Sequence, residues 1–320
     1  RGLGATLLEW HYRSRNDALI AFCNQAFYDG RLHTVPTPSQ PPRQPPIAAT
    51  QAEEGANGAA ALLARPISFH RLHGAVYEQR KNRLEAEYIA EMLRALLAQG
   101  TGLSLGVLAF SQAQQGEIER AIEALAARDP EFRSALEHEY AREEDDQFCG
   151  LFVKNLENVQ GDERDCIILS VCYGPDARGK IRMNFGPINQ SGGEKRLNVV
   201  FSRAKQHVAV VSSIDANQIT NVYNDGANTL RNYLAYAAAI SCGDHELGRA
   251  VLRGMAQQSA KATDAPNAVA DAIATELRAA GFAVETHVGS SRFRCDLVVR
   301  GERPLAILID TPEFYRSGTL

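Results

Sequence analysis

The residues best suited to phosphate chemistry in this 320-residue chain sit in a few short segments. Arg13 stands in Trp10-His11-Tyr12-Arg13-Ser14, and Arg203 stands near the end of Arg196-Leu197-Asn198-Val199-Val200-Phe201-Ser202-Arg203-Ala204-Lys205. An arginine fork stays charged and donates to several phosphate oxygens at once. The plain alternatives are a helix cap for Arg13 and a surface ion pair for Arg203. A third segment, Leu156-Glu157-Asn158-Val159-Gln160-Gly161-Asp162-Glu163-Arg164-Asp165, runs into an apolar strand at Cys166. Its Gln160-Gly161 pair offers a tight turn whose backbone N–H groups can meet a phosphate, an ordinary polar loop being the alternative. Phe110-Ser111-Gln112, with Gln115 one turn on, follows another apolar strand and opens a helix. A helix N-terminus suits a phosphate, and an N-cap role for Ser111 explains the segment equally well. Lys154 and Lys195 read as groove charges or as solvated lysines with equal ease. The sequence holds no GxxxxGK followed by Ser or Thr, and Gly192-Gly193-Glu194-Lys195 has the wrong spacing. No acidic pair follows an apolar strand as a Walker B motif requires, so a cradle for Mg²⁺ and the β- and γ-phosphates is missing.

These segments are carried by alternating short elements. Residues 1–32 read as a helix with Leu19, Ile20, Phe22, Phe27 and Tyr28 on its apolar face. Pro36 to Pro46 is an extended surface loop, and the small polar residues after Gly55 prolong this Pro/Gly-rich loop over 36–64. Ile67–His70 begins a strand, Arg83–Gln99 has helical spacing, Leu105–Phe110 is a strand and Gln112–Ala127 a helix. The acidic run Arg142–Asp146 reads as a solvated loop face. Strands at Leu151–Val153 and Cys166–Val171 follow, then a helix over Arg196–Lys205 and a strand Val208–Ser213. Continuous apolar strands alternating with helices predict an α/β domain over 1–240, its parallel sheet covered on both faces. Polar residues 241–265 read as a linker. Residues 266–320 form a second, partial domain with a helix Val269–Ala280 and strands at Ala283–Val288, Phe293–Arg300 and Leu305–Ile309.

Composition sets the outer limits. Hydrophobic residues make up 45% of the chain, enough for two cores at this length. A net charge of −4 and a pI near 6.1 exclude a histone-like electrostatic binder, while leaving room for a local basic groove. The six cysteines are scattered without a CxxC pair, which argues against a zinc site or a disulfide framework and for a reduced, cytoplasmic setting. No apolar run reaches the ~18 residues of a membrane helix, and no signal peptide opens the chain. Arg1 at the start and the abrupt ending at Leu320 read as a piece cut at both ends.

Taken in order and spacing, the segments at Trp10, Leu156 and Arg196 resemble motifs IV, V and VI of superfamily-1 helicases of the Dna-Nam7 and nonsense-mediated-decay branch. Met183-Asn184-Phe185-Gly186-Pro187, followed by Gly192-Gly193-Glu194-Lys195-Arg196-Leu197-Asn198, looks like large bacterial helicases that end in a Vsr-type nuclease-like domain. The resemblance implies the second, RecA-like lobe of a P-loop NTPase motor. It puts Arg13 and Arg203 on the γ-phosphate, with Arg203 the arginine finger. It gives Tyr12, Gln160, Gly161 and Glu163 to coupling with the nucleotide, and Ser111, Gln112 and Gln115 to the nucleic-acid backbone. The implied cofactor is ATP with Mg²⁺, held mainly by a first lobe that is not in this sequence. The implied partners are that lobe and a nucleic acid, DNA ahead of RNA.

The tail resembles the β-hairpin of a Vsr-like PD-(D/E)xK nuclease, in which Asp296 matches the first metal-binding carboxylate. Leu308 stands where the catalytic glutamate belongs, Asp310 remains, and no lysine follows it. Period-2 spacing puts Leu308 and Asp310 on one face near Asp296, so the site is short of a third ligand. The reading that results is the C-terminal lobe of an ATP-dependent helicase fused to a nuclease-like domain, inactive as an ATPase by itself. A non-catalytic nucleic-acid-binding module and a metal-dependent endonuclease are the alternatives.

Overall fold

The longest apolar runs form the middle of the sheet, because strands covered on both faces must be apolar on both. In the computed structural model, which describes residues 10–37, 42–144, 147–159, 161–256, 268–289, 294–301 and 303–309, six strands pair in parallel. They are β1 (Ile47–Ala49), β2 (Ile67–Leu72), β5 (Leu105–Ala109), β8 (Phe152–Asn155), β9 (Arg164–Ser170) and β10 (Ala204–Ser212). Their order across the sheet is β1-β2-β10-β9-β5-β8. Two-stranded hairpins β3 (Tyr77–Glu78) with β4 (Lys81–Asn82), and β6 (Glu143–Glu144) with β7 (Gln147–Phe148), lie outside it.

Alternation along β9 shows the two layers. Ile167 and Leu169 join a core with α1 (Ala18–Phe27), α6 (Gly193–Phe201) and α7 (Asp225–Ser241). Cys166 and Ile168 join a second core with α2 (Gly55–Leu63), α3 (Arg83–Ala98), α4 (Gln112–Ala126) and α5 (Pro130–Tyr140). The expected α/β lobe with a parallel sheet and helices on both faces is therefore present.

Four local expectations need correction. Of the helix expected over 1–32, residues 1–9 lie outside the described residues; among the others it spans Ala18–Phe27, and residues 10–15 instead bond to remote segments, His11 N to His33 O and Arg15 N to Lys205 O. Within the supposed 36–64 loop, β1 pairs with β2 and α2 is a regular helix. The glycines there serve close packing: a Cβ on Gly55 would overlap the Tyr88 carbonyl oxygen, and one on Gly58 the Tyr88 hydroxyl. The helix expected over Arg196–Lys205 starts earlier, at Gly193, and stops at Phe201, so Arg203 lies between α6 and β10. The supposed 241–265 linker contains α8 (His245–Ala256), whose Val251, Leu252 and Met255 pack on the first core.

The C-terminal part is a helix, α9 (Ala268–Ala279), on an antiparallel sheet of β11 (Ala283–Val288), β12 (Cys295–Arg300) and β13 (Leu305–Ile307). Ala270, Ala274, Val284 and Leu297 form its small core. β13 ends before Leu308, which is 48% exposed.

Candidate nucleotide and nucleic-acid edges

Four residues that lie up to 192 positions apart in sequence, Arg13, Glu163, Arg203 and Lys205, meet at the amino-terminal edge of β9 and β10. Arg13 Nε lies 2.5 Å from Glu163 Oε2, and Lys205 Nζ lies 3.2 Å from Glu163 Oε1. A second Arg13 nitrogen donates to the Ser202 carbonyl at 3.3 Å. Arg203 donates through Nε to Val199 O at 2.6 Å and through a terminal nitrogen to Asp162 O at 3.3 Å. Burial works against the Glu163 carboxylate, but Lys205 and Arg13 hold it below its usual range. Burial and then repulsion from Arg13 depress the Arg203 guanidinium. Three cations around one carboxylate leave a net positive, partly open patch, which fits an anionic ligand.

Each arginine is held from below. Phe201, two residues before Arg203, is fully buried, stacked on Tyr233 with ring centroids 3.5 Å apart and edge-on to Phe22 at 5.9 Å. Asn198 donates to the Tyr28 hydroxyl at 3.1 Å, tying α6 to the end of α1. Ser14 bonds Ala204 O through its hydroxyl and donates its N–H to His11 Nε2. His11 is driven down to about 4 by burial and by Arg13, so it is a neutral acceptor at ordinary pH. Tyr12 projects beside this cluster at 90% exposure. Gly161 takes a φ of +94° that favours glycine, while Gln160 lies outside the described residues. Lys154 pairs with Asp162 at 2.6 Å, and Lys195 is exposed on α6.

Ser111 and Gln112 lie at the opposite, carboxyl-terminal edge, in a cleft of about 1430 Å³. Seven residues of β9 separate the two edges, roughly 20 Å at strand rise. Ser111 caps α4: its hydroxyl accepts from Gln114 N at 3.1 Å and donates to Arg80 O at 2.8 Å. Gln115 is turned inward, donating to Glu119 and Val153 O and accepting from Asn155, a residue of the cleft wall. The cleft also gathers Arg80, Arg178, Lys180 and Arg182, which the sequence reading passed over. The every-second-residue cations of Arg178-Gly179-Lys180-Ile181-Arg182 were the available signal. Also missed was Glu85, fully buried in the first turn of α3 beneath this edge.

Asp296 stands apart on β12, its Oδ2 accepting from Ile309 N at 2.8 Å. Asp310 lies outside the described residues. Among the described residues no group of three His, Cys, Asp or Glu side chains is placed to hold a metal ion.

The chain is 31% identical over 241 residues to an uncharacterised ATP-dependent helicase of Mycoplasma genitalium, a match covering 74% of this chain and 19% of that protein. It is 30% identical over 239 residues to the homologue in Mycoplasma pneumoniae, with the same coverage. The chain thus spans about a fifth of the length of these curated relatives. The C-terminal domain of a possible DNA helicase from Lactobacillus plantarum WCFS1 aligns over 63% of this chain and 86% of that domain, at 14% identity and a TM-score of 0.31, a likeness too slight to carry weight. The family model described as AAA domain matches residues 3–215, a span that takes in both strand edges and the arginine cluster between α1, β9 and β10. On that match, which covers well over half of its length, the chain belongs to the AAA domain family.

Proposed function

We propose that this chain is the second, RecA-like lobe of an ATP-dependent helicase of superfamily 1, with Arg13 and Arg203 facing the nucleotide. The observation that carries the reading is the convergence of Arg13, Glu163 and Arg203 on one edge of the sheet, from segments remote in sequence. The Mycoplasma relatives, both called ATP-dependent helicases, support it at the level of family.

ATP, when bound, supplies a γ-phosphoryl group whose transfer concentrates negative charge on its oxygens. Arg203 is held by two backbone carbonyls and keeps a fork to redirect toward that charge. Arg13 is held by Glu163, and a phosphate competes with that carboxylate for the same guanidinium. Gly161 leaves the backbone open beside them, and Tyr12 presents a free ring. These residues fit the phosphate end of a nucleotide, whereas the described residues hold no carboxylate cluster for Mg²⁺, which falls to the first lobe of the parent protein.

Ser111 and Gln112 belong to the other edge, where the cleft takes the nucleic acid, DNA ahead of RNA; Gln115 acts there by positioning Asn155. Among the described residues no helix is long and apolar enough to cross a membrane, and we place the parent protein in the cytoplasm. The C-terminal helix and hairpin are read as part of a nuclease-like domain. Cleavage is no part of the proposal, because Asp296 is bonded to the backbone of its neighbouring segment and Leu308 replaces the second acid.

The test is Arg203→Ala in the parent protein. Nucleic-acid-stimulated ATP turnover should drop by ~10³-fold or more while nucleic-acid binding persists; unchanged turnover overturns the reading.

A further inference from the structure

The four cations of the carboxyl-edge cleft differ from the other charges of the lobe. Arg80, Arg178, Lys180 and Arg182 all line it, and none of their side chains makes a hydrogen bond or ion pair among the described residues. Three acids share the cleft, Glu78, Glu157 and Asp176. Asp176 Oδ1 accepts from the backbone N–H groups of Arg178 and Lys180, each at 3.0 Å; these bonds, and then the nearby Arg182 and Arg178 charges, hold its carboxyl below the usual range. Those bonds, with the Pro175–Ile181 bridge, fold residues 175–181 into a tight hairpin that displays Arg178 and Lys180 at fixed positions. In a chain of net charge −4, a row of cations outnumbering the acids of their cleft is a local feature.

The chain beyond Arg182 is equally fixed. It leads into a 3-10 turn, Gly186–Asn189, clamped between α6 and α7. A Cβ on Gly193 or on Gly226 would overlap the Ile188 carbonyl oxygen, so both helices touch this turn directly. Asn221 donates to Met183 O at 3.1 Å, and Asn224 donates to Asn189 O at 3.0 Å. The loop between them carries Tyr223, 88% exposed, beside Val222 at 44%. An exposed aromatic ring on a loop bonded to Met183, the residue after Arg182, has with those cations the makeup of a single-strand platform, in which backbone phosphates meet cations and a base stacks on the ring. A duplex keeps its base faces stacked inside and offers none to Tyr223.

We propose that Arg178, Lys180 and Arg182 bind the phosphates of a single-stranded nucleic acid whose next base stacks on Tyr223. This rests on the helicase reading and adds to it a track formed by the hairpin and the Tyr223 loop, beyond Ser111 and Gln112. The track lies across the sheet from Arg13 and Arg203, so the two sites are separable by mutation.

The experiment measures binding of fluorescein-labelled (dT)20, and of an abasic strand of equal length, to the 320-residue chain over a range of KCl concentrations. The triple variant Arg178→Ala, Lys180→Ala, Arg182→Ala should bind (dT)20 at least tenfold more weakly. Its slope of log K against log salt should shrink by about 2, the share of three single-strand phosphate contacts. Arg178→Lys with Arg182→Lys should keep the wild-type slope. Tyr223→Ala should weaken (dT)20 by about tenfold and leave the abasic strand unchanged. All four positions are exposed, and unchanged far-ultraviolet circular dichroism checks the fold. Wild-type slope and affinity in the triple variant overturn the phosphate track, as does absence of binding by the wild-type chain at low salt. Equal loss on both strands in Tyr223→Ala overturns the stacking. A failure here with loss of turnover in Arg203→Ala leaves the motor reading in place; retained turnover in Arg203→Ala removes that reading by itself.

Discussion

Glu85 shows how far a single residue departs from its sequence context. Asn82 Nδ2 and Ser213 Oγ donate to one carboxyl oxygen, and Ser170 Oγ and the Cys172 N–H to the other. Burial outweighs these donors and pushes the group from about 4.5 up to about 7. Between those values the folded chain holds a proton that the unfolded chain has released. Stability is therefore highest, for this group, below about pH 4.5, and it falls as pH rises to about 7. The difference amounts to ~3 kcal/mol at 1.36 kcal/mol per unit. Urea midpoints should thus decline from pH 5 to pH 8, and Glu85→Gln should flatten that decline; an equal slope in the variant would contradict the assignment. In sequence Glu85 is one acid in an amphipathic helix. Its burial depends on the ends of β9 and β10, more than eighty residues away, which no local pattern reports. Arg13 and Arg203 stand in segments that the sequence singles out by their residue types, yet their nearness to each other, to Glu163 and to Lys205 exists only in space.

At the scale of elements, glycine carried two opposite meanings. Gly55 and Gly58 lie in a small, polar stretch that reads as loop, and glycine weakens a helix by ~1 kcal/mol relative to alanine. In α2 they instead let the helix lie directly on α3, where Tyr88 leaves no room for a Cβ. Gly116, in the interior of α4, has nothing within 4 Å of such a Cβ. Gly55→Ala should therefore cost ~1–3 kcal/mol through overpacking, whereas Gly116→Ala should add ~0.5–1 kcal/mol. Urea denaturation of both variants measures the pair, and a gain in Gly55→Ala would refute the packing role. The central strands were legible since their apolar runs are long and bounded. The short edge strand β1 was not, because three residues gain strand character only by pairing with β2.

Across the whole molecule, the parallel sheet separates an arginine-bearing edge from a cation-lined cleft, with the Leu156–Glu163 crossover running from one to the other. The lobe also extends further than its composition suggests. α8 looked like linker because its residues are mixed and polar, but Val251, Leu252 and Met255 cover part of the core against α1 and α7. A chain ending after residue 256 should match the first 256 residues of the intact protein in cooperative unfolding. One ending after 240 should lose ~2 kcal/mol or more, since burying even one such side chain contributes ~1.5–3 kcal/mol; equal urea midpoints for the two would return 241–256 to the status of linker. By itself the sequence determined the α/β class and the central strands, since these follow from local apolar period. Only the tertiary structure decided which charges are paired and which are free. Arg13 meets Glu163, while among the described residues Arg178, Lys180 and Arg182 form no ion pair within 4 Å. Charge pairing depends on distances between remote segments, and those distances are fixed only when the sheet closes its register.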